Sequence, residues 1–117
     1  MQERSSMFKS LVPLIAAATV AAASTTVQAA DAAAGRQIAQ AQCAACHGVD
    51  GKTSTDPSYP ILAGQYSDYL LKALMDYQSG ARKNAIMGAL AKPLSREDMR
   101  NLAAHFAALP GPMSHRK

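Results

Sequence analysis

The chain has 117 residues, 49% of them hydrophobic but only 5% aromatic, with no Trp, two Cys, and 12 Lys plus Arg against 8 Asp plus Glu, for a formal charge of +4. That length holds one small domain at most. The mild positive charge, the scarcity of aromatics and the lack of a Gly-rich aromatic strand motif argue against nucleic acid as a partner and leave acidic protein partners open.

Met1 to Ser10 carries Arg4 and Lys9, and the uncharged run Leu11 to Ala23 follows before Ser24 to Ala30. A basic stretch, 13 apolar residues and a small-residue cleavage site form the pattern of an export signal. Val27 and Ala29 place the cut after Ala29, with Ala30 as the near alternative. The run is too short for the about 20 residues that a membrane helix requires, and Pro13 interrupts it, so no membrane span is expected in the mature chain. Residues 1–29 are therefore read as a removed signal, 30–112 as the folded domain and 113–117 as a basic C-terminal tail. Removing 29 residues that hold two basic and one acidic group leaves 88 residues and a formal charge of +3. A core of that size supplies only about 3 to 5 kcal/mol, so few aromatics point to a staple or a bound cofactor.

The mature chain reads as all-α, with about three main helices and no sustained period-2 alternation. The first runs from Asp31, a possible N-cap, to Cys46, with Gly48 as its stop. Gly35 inside it points to the close approach of another helix. From Gly48 to Gln65 lies a long irregular stretch with Asp56-Pro57 and Tyr59-Pro60, a length that suggests a ligand-wrapping task. Ser67 caps a second helix over Asp68 to Ser79, ended by Gly80. A second loop, Ala81 to Leu94, leads to a third helix opened by Ser95 and Asp98 as a capping box. Its apolar stripe is Met99, Leu102, Ala103, Phe106 and Leu109, with His105 off that stripe, and Pro110-Gly111-Pro112 ends it.

Near the end of the first helix stands Cys43-Ala44-Ala45-Cys46-His47, the C-x-x-C-H signature of covalent haem attachment. Two cysteines three apart lie on one face of a helical turn and reach two vinyl groups of one porphyrin edge. The adjacent histidine projects beneath the ring as proximal iron ligand. A thioredoxin-like pair needs a βαβ context that is missing from the pattern. A structural zinc site needs more ligands than His105 and His115 supply, and a disulfide here would close only a tiny loop. For the sixth iron ligand the mature chain offers Met75, Met87, Met99 and Met113, besides His105 and His115. Met87 stands out by position, because the segment Asn84 to Gly88 reads as a loop able to lay a thioether over the distal face.

The run Cys43 to His47, then Pro60 to Gln65, Tyr69-Leu70 with Leu74, Gly80 to Asn84, Met87, Leu94 to Asp98 and Leu102 to Phe106 resembles the small class I c-type cytochromes. The likeness is above all to the soluble monohaem cytochrome c-553 type and to one half of a dihaem cytochrome c4, and it covers essentially the whole mature chain. It implies His47 and Met87 as the axial pair of one haem c held by Cys43 and Cys46. It also implies that the Pro60 carbonyl accepts a hydrogen bond from the second ring nitrogen of His47. Crossing of the first and last helices, with Gly35 against the Leu102 to Phe106 stripe, belongs to the same expectation. Two positions depart from the usual pattern: Ile86 stands before Met87 where Met or Pro is often found, and His105 where Tyr is common.

The resulting expectation is an electron-transfer protein and not an enzyme, a periplasmic carrier of single electrons between respiratory or other redox partners. Lys72, Arg82, Lys83, Lys92, Arg96 and Arg100 form a candidate basic collar for acidic docking surfaces. The alternative is the cytochrome subunit of a multi-chain dehydrogenase; a gas sensor or peroxidase with a displaceable sixth ligand is a third reading.

Overall fold

The computed structural model describes residues 21–24 and 26–114. Most of the signal expected over residues 1–29, and His115 to Lys117 of the tail, lie outside the described residues. Among the described residues the fold is all-α, with helices α1 (Ala32–Ile38), α2 (Ala44–His47), α3 (Ser67–Ser79), α4 (Ala85–Ala91) and α5 (Arg96–Ala108). A π-helical segment, Ala39–Cys43, joins α1 to α2 without a break in right-handed backbone, so the expected first helix is one body with a widened turn.

Asp31 starts that body: its Oδ1 accepts from the backbone N–H groups of Ala33 and Ala34 at 2.9 and 3.1 Å, which satisfies two donors of the first turn. The backbone N–H of Asp31 donates in turn to Asn101 Oδ1 at 2.8 Å, tying α1 to α5 at the crossing. Gly35 is buried at this crossing, and a Cβ there would collide with the Asn101 carbonyl and come within 2.9 Å of the Leu102 nitrogen. The expected close approach is thus real, and its reason is backbone against backbone.

Helix α3 begins at Ser67 with Tyr66 as an uncapped N-cap position, one residue earlier than the capping reading placed it. Gly80 ends it at φ 84°, in the left-handed region. Ser95 opens α5 with the full reciprocal capping box to Asp98. Beyond the expected stripe, α5 also buries Asn101 and His105, because it packs against both α1 and α3. His105, expected off the apolar face, is only 8% exposed and lies tilted against the Phe106 ring at 5.0 Å. Burial, and then the Arg36 charge, holds its pKa below the usual histidine value.

The segment read as a second loop, Ala81 to Leu94, contains the short helix α4, a correction to the loop reading. Asn84 caps it, its Oδ1 accepting from Ile86 and Met87 N–H at 3.0 and 2.9 Å. The buried cluster is Ala39, Leu70, Leu102, Ala103 and Phe106. Two of these five are alanines, so the core lines one side of a cleft without filling the domain. At the end of the fold Ser114 Oγ accepts from the Gly111 N–H at 2.9 Å, so the first part of the expected tail turns back on the chain.

Candidate functional site

The π segment ends at Cys43, where φ widens to −108° before α2 resumes regular geometry. Such widened turns concentrate at functional sites, and this one adjusts the rotation of Cys43 relative to the helix below it. Cys43 and Cys46 are unbridged and half-buried, and both line the cleft. Burial and the neighbouring Cys46 push the Cys43 thiol up to about 11, so it stays protonated at neutral pH.

His47 ends α2 and is 6% exposed. Its Nδ1 stands 3.0 Å from the Pro60 carbonyl oxygen, which can only accept, so Nδ1 donates; in the neutral ring that tautomer puts the lone pair on Nε2. The long loop delivers that carbonyl through its own hydrogen bonds. Thr55 N–H donates to the Cys46 carbonyl at 3.0 Å, and Tyr59 N–H donates to the Asp56 carbonyl at 3.0 Å. Gly51, at φ 68°, offers one carbonyl to both Leu62 and Ala63, and a Cβ added there would come within 3.0 Å of the Phe106 ring. Asp50 accepts from Lys52 and Thr53, and these bonds lower its carboxyl to about 2.

Across the cleft lies the second wall. Leu70, Ala73, Leu74 and Tyr77 of α3 face inward, and α4 contributes Ile86, Met87 and Leu90. Met87 sits in the first turn of α4 and not in a loop, so the loop argument for it fails while its position at the cleft stands. Of the other candidates, Met99 is buried in α5, and neither it, Met75 nor Met113 lines the cleft. The floor is Leu102, Ala103 and Phe106 of α5, and the enclosed volume is about 670 Å³. That falls within the range of about 300–1,000 Å³ usual for cofactor pockets.

Two cleft residues were missed as such in the sequence. Arg82, assigned to a docking collar, lines the cleft with its guanidinium 4.9 Å above the Tyr77 ring and 3.5 Å from the Tyr69 hydroxyl. These contacts hold its pKa above the usual arginine value. Lys72, another collar residue, pairs with Asp76 within α3. Asn84 also lines the cleft, and the signal for it was available: a capping residue before the helix-favouring run Ala85 to Ala91.

Two unbridged thiols and an oriented imidazole on one wall, a thioether on the other and apolar surfaces between them suit a flat apolar cofactor attached to the chain. No group of three or more His, Cys, Asp or Glu among the described residues is arranged to hold a metal ion by itself. The all-helical fold around such a cleft defines the class of c-type haem domains.

The family model described as Cytochrome c matches residues 32–110, and the chain belongs to the cytochrome c family. Membership implies a covalently attached haem. Cytochrome c4 of Pseudomonas aeruginosa is 47% identical over 78 residues, covering 67% of this chain and 38% of that protein. The thiosulfate dehydrogenase electron acceptor of Stutzerimonas stutzeri is 42% identical over 78 residues, 67% of this chain and 36% of its own length. The solved structure of reduced cytochrome c4 from Pseudomonas stutzeri superposes with a TM-score of 0.65 at 41% identity, over 71% of this chain and 47% of that one. The chain thus spans less than half the length of these relatives and resembles one half of a dihaem cytochrome c4.

Proposed function

We propose that the chain is a periplasmic monohaem cytochrome that carries single electrons between redox partners. The observation that carries this reading is the pairing of His47, anchored to Pro60, with Met87 across one apolar cleft beside two free cysteines. Cys43 and Cys46 would hold one haem as thioethers, and His47 Nε2 and the Met87 sulfur would take the two axial positions. Iron held in this way supplies a one-electron couple whose potential a Met/His pair raises. The Pro60 carbonyl fixes the imidazole tautomer and orientation. The apolar walls would limit the access of water, and an iron held by both His47 and Met87 would offer no free position to a substrate, which supports a carrier over a catalyst.

Residues 1–29 are read in the same proposal as an export signal, which delivers the chain to the compartment where haem is attached. Fold contacts that begin at Asp31 support a mature domain from Ala30 to Pro112, followed by a short tail. No described helix is long and apolar enough to cross a membrane.

A second reading, the cytochrome subunit of a multi-chain dehydrogenase, draws on the rim of the cleft. Ile61, Tyr69 and Ile86 are each about half exposed there, at 48, 50 and 52%. Exposed apolar side chains at the rim suit a lasting partner, and the cytochrome subunit of sulfide dehydrogenase of Chlorobaculum tepidum, 34% identical over 73 residues, gives the reading a precedent.

The test is the protein exported through its own leader. Mass spectrometry under denaturing conditions should find one haem bound covalently, and the reduced protein should take up carbon monoxide slowly or not at all. Rapid carbon monoxide binding at neutral pH would overturn the carrier reading in favour of a sensor or peroxidase. Copurification of a second chain would favour the subunit reading.

A further inference from the structure

Met87 rides on the shortest helix of the second wall. Helix α4 has seven residues, and isolated helices under about 12 residues do not hold together in water, so its position depends on tertiary contacts: packing against α3, with Ala91 fully buried, and side chains at its two ends. Asn84 secures the first turn. At the other end, where Pro93 has no N–H to donate, the Leu94 N–H reaches the Ala91 carbonyl at 3.1 Å, and the carbonyls of Ala91, Lys92 and Leu94 converge on one further donor. Gln78, in the last turn of α3, reaches them. Its Nε2 lies 3.0 Å from the Ala91 carbonyl oxygen, 2.7 Å from that of Leu94 and, more distantly, 3.3 Å from that of Lys92. Three acceptors around one atom fix the amide with its NH2 toward α4. Ala91 is fully buried, so a donor lost here is not readily replaced by water.

We propose that Gln78 is a positioning residue for Met87: its side-chain amide caps the C-terminal end of α4 from α3 and so keeps the thioether seated at the cleft. The proposal rests on Met87 being an axial ligand. Asn84 and Gln78 then act as two clamps on one short lever. Releasing the Gln78 clamp raises the population in which α4 has lifted and Met87 has left its place, and a small external ligand reports that population directly. Nothing in the relation between Gln78 and the His47 wall predicts such an effect, since the amide makes its contacts on α4 and the turn after it.

Imidazole binding to the oxidised holoprotein, followed by absorption spectroscopy, is the test. Gln78→Met keeps the length and removes the donors; it is expected to tighten apparent imidazole binding about tenfold, the factor that two hydrogen bonds of ordinary net worth would give. Gln78→Lys restores a donor toward the same carbonyls and is expected to stay within about twofold of the parent. Asp31→Ala removes the cap of α1 on the histidine wall and should lower Tm without tightening imidazole binding. Equal tightening in Asp31→Ala, or none in Gln78→Met, overturns the proposal. In a Met87→Ala background the Gln78→Met effect should vanish. A persistent effect there overturns the positioning role, whereas a Met87→Ala protein that binds imidazole no better than the parent shows instead that the ligand assignment itself is wrong.

Discussion

His47 and Met87 face the same cleft from supports of different kinds. His47 closes a helical body that runs from Asp31, is crossed by α5 at Gly35, and is tied to the loop by a 3.0 Å bond to Pro60. Met87 sits on seven residues whose ends are held by side chains of Asn84 and Gln78. One wall is fixed by close backbone packing of long elements, and the other by a short helix packed on α3 with polar side chains at its ends. The difference teaches where such a site is stiff and where it can yield: the histidine wall fails with the whole fold, while the methionine wall can fail alone.

The largest effect is expected from removing the attachment points. Cys43→Ser together with Cys46→Ser should abolish covalent haem and leave a chain without a cooperative melt, as measured by circular dichroism, because the small core lines the cleft instead of filling it. A native-like melt of that variant would show that the fold needs no cofactor. Next comes Gly35→Ala, which drives a methyl into the Asn101 backbone and should cost about 2–3 kcal/mol in thermal or denaturant unfolding. Its haem spectrum should stay unchanged, since the damage falls on the fold and not on the ligands.

Asn84→Ala is expected to be milder, about 1 kcal/mol, the usual cost of a lost N-cap. In contrast to Gly35→Ala, its effect should be local, visible as faster hydrogen exchange of Ile86 and Met87 amides with the α1–α5 crossing unchanged. The smallest effect concerns Asp50 in the loop of the histidine wall. Its carboxyl is lowered from 3.8 to about 2 by bonds to Thr53 and Lys52, so its contribution is present above pH 4 and is lost as pH falls toward 2. Asp50→Asn should therefore narrow the difference in Tm measured between pH 5 and pH 2.5. An equal difference in the two proteins would mean that this turn does not feel the titration.

The two walls were also unequally legible. Cys43 to His47 is a local pattern whose chemistry follows from spacing, and the Ser95 capping box and the Gly35 crossing likewise follow from short-range rules or from the size of one residue. The opposite wall depends on relations that distance along the chain conceals. Met87 lines the cleft from a short helix, which Gly88 and Pro93 mask behind loop-forming residues. Gln78 lies thirteen residues from the nearest carbonyl it caps, and nothing in its neighbours marks it. The π segment before Cys43 has no sequence signal among its alanines and glutamines. His105 lies off the single apolar stripe that helical spacing marks on α5, and packing on two helices widens the buried arc to include it. Arg82 was counted as surface charge, and only the fold shows it laid over Tyr77 at the cleft.

The central claim is that His47 and Met87 together hold one haem iron. Absorption spectra of the exported protein, oxidised and reduced, recorded beside those of Met87→Ala, test it most directly. The account predicts a low-spin spectrum in both states of the parent, with loss of the low-spin form in the variant. An unchanged spectrum in Met87→Ala would contradict it.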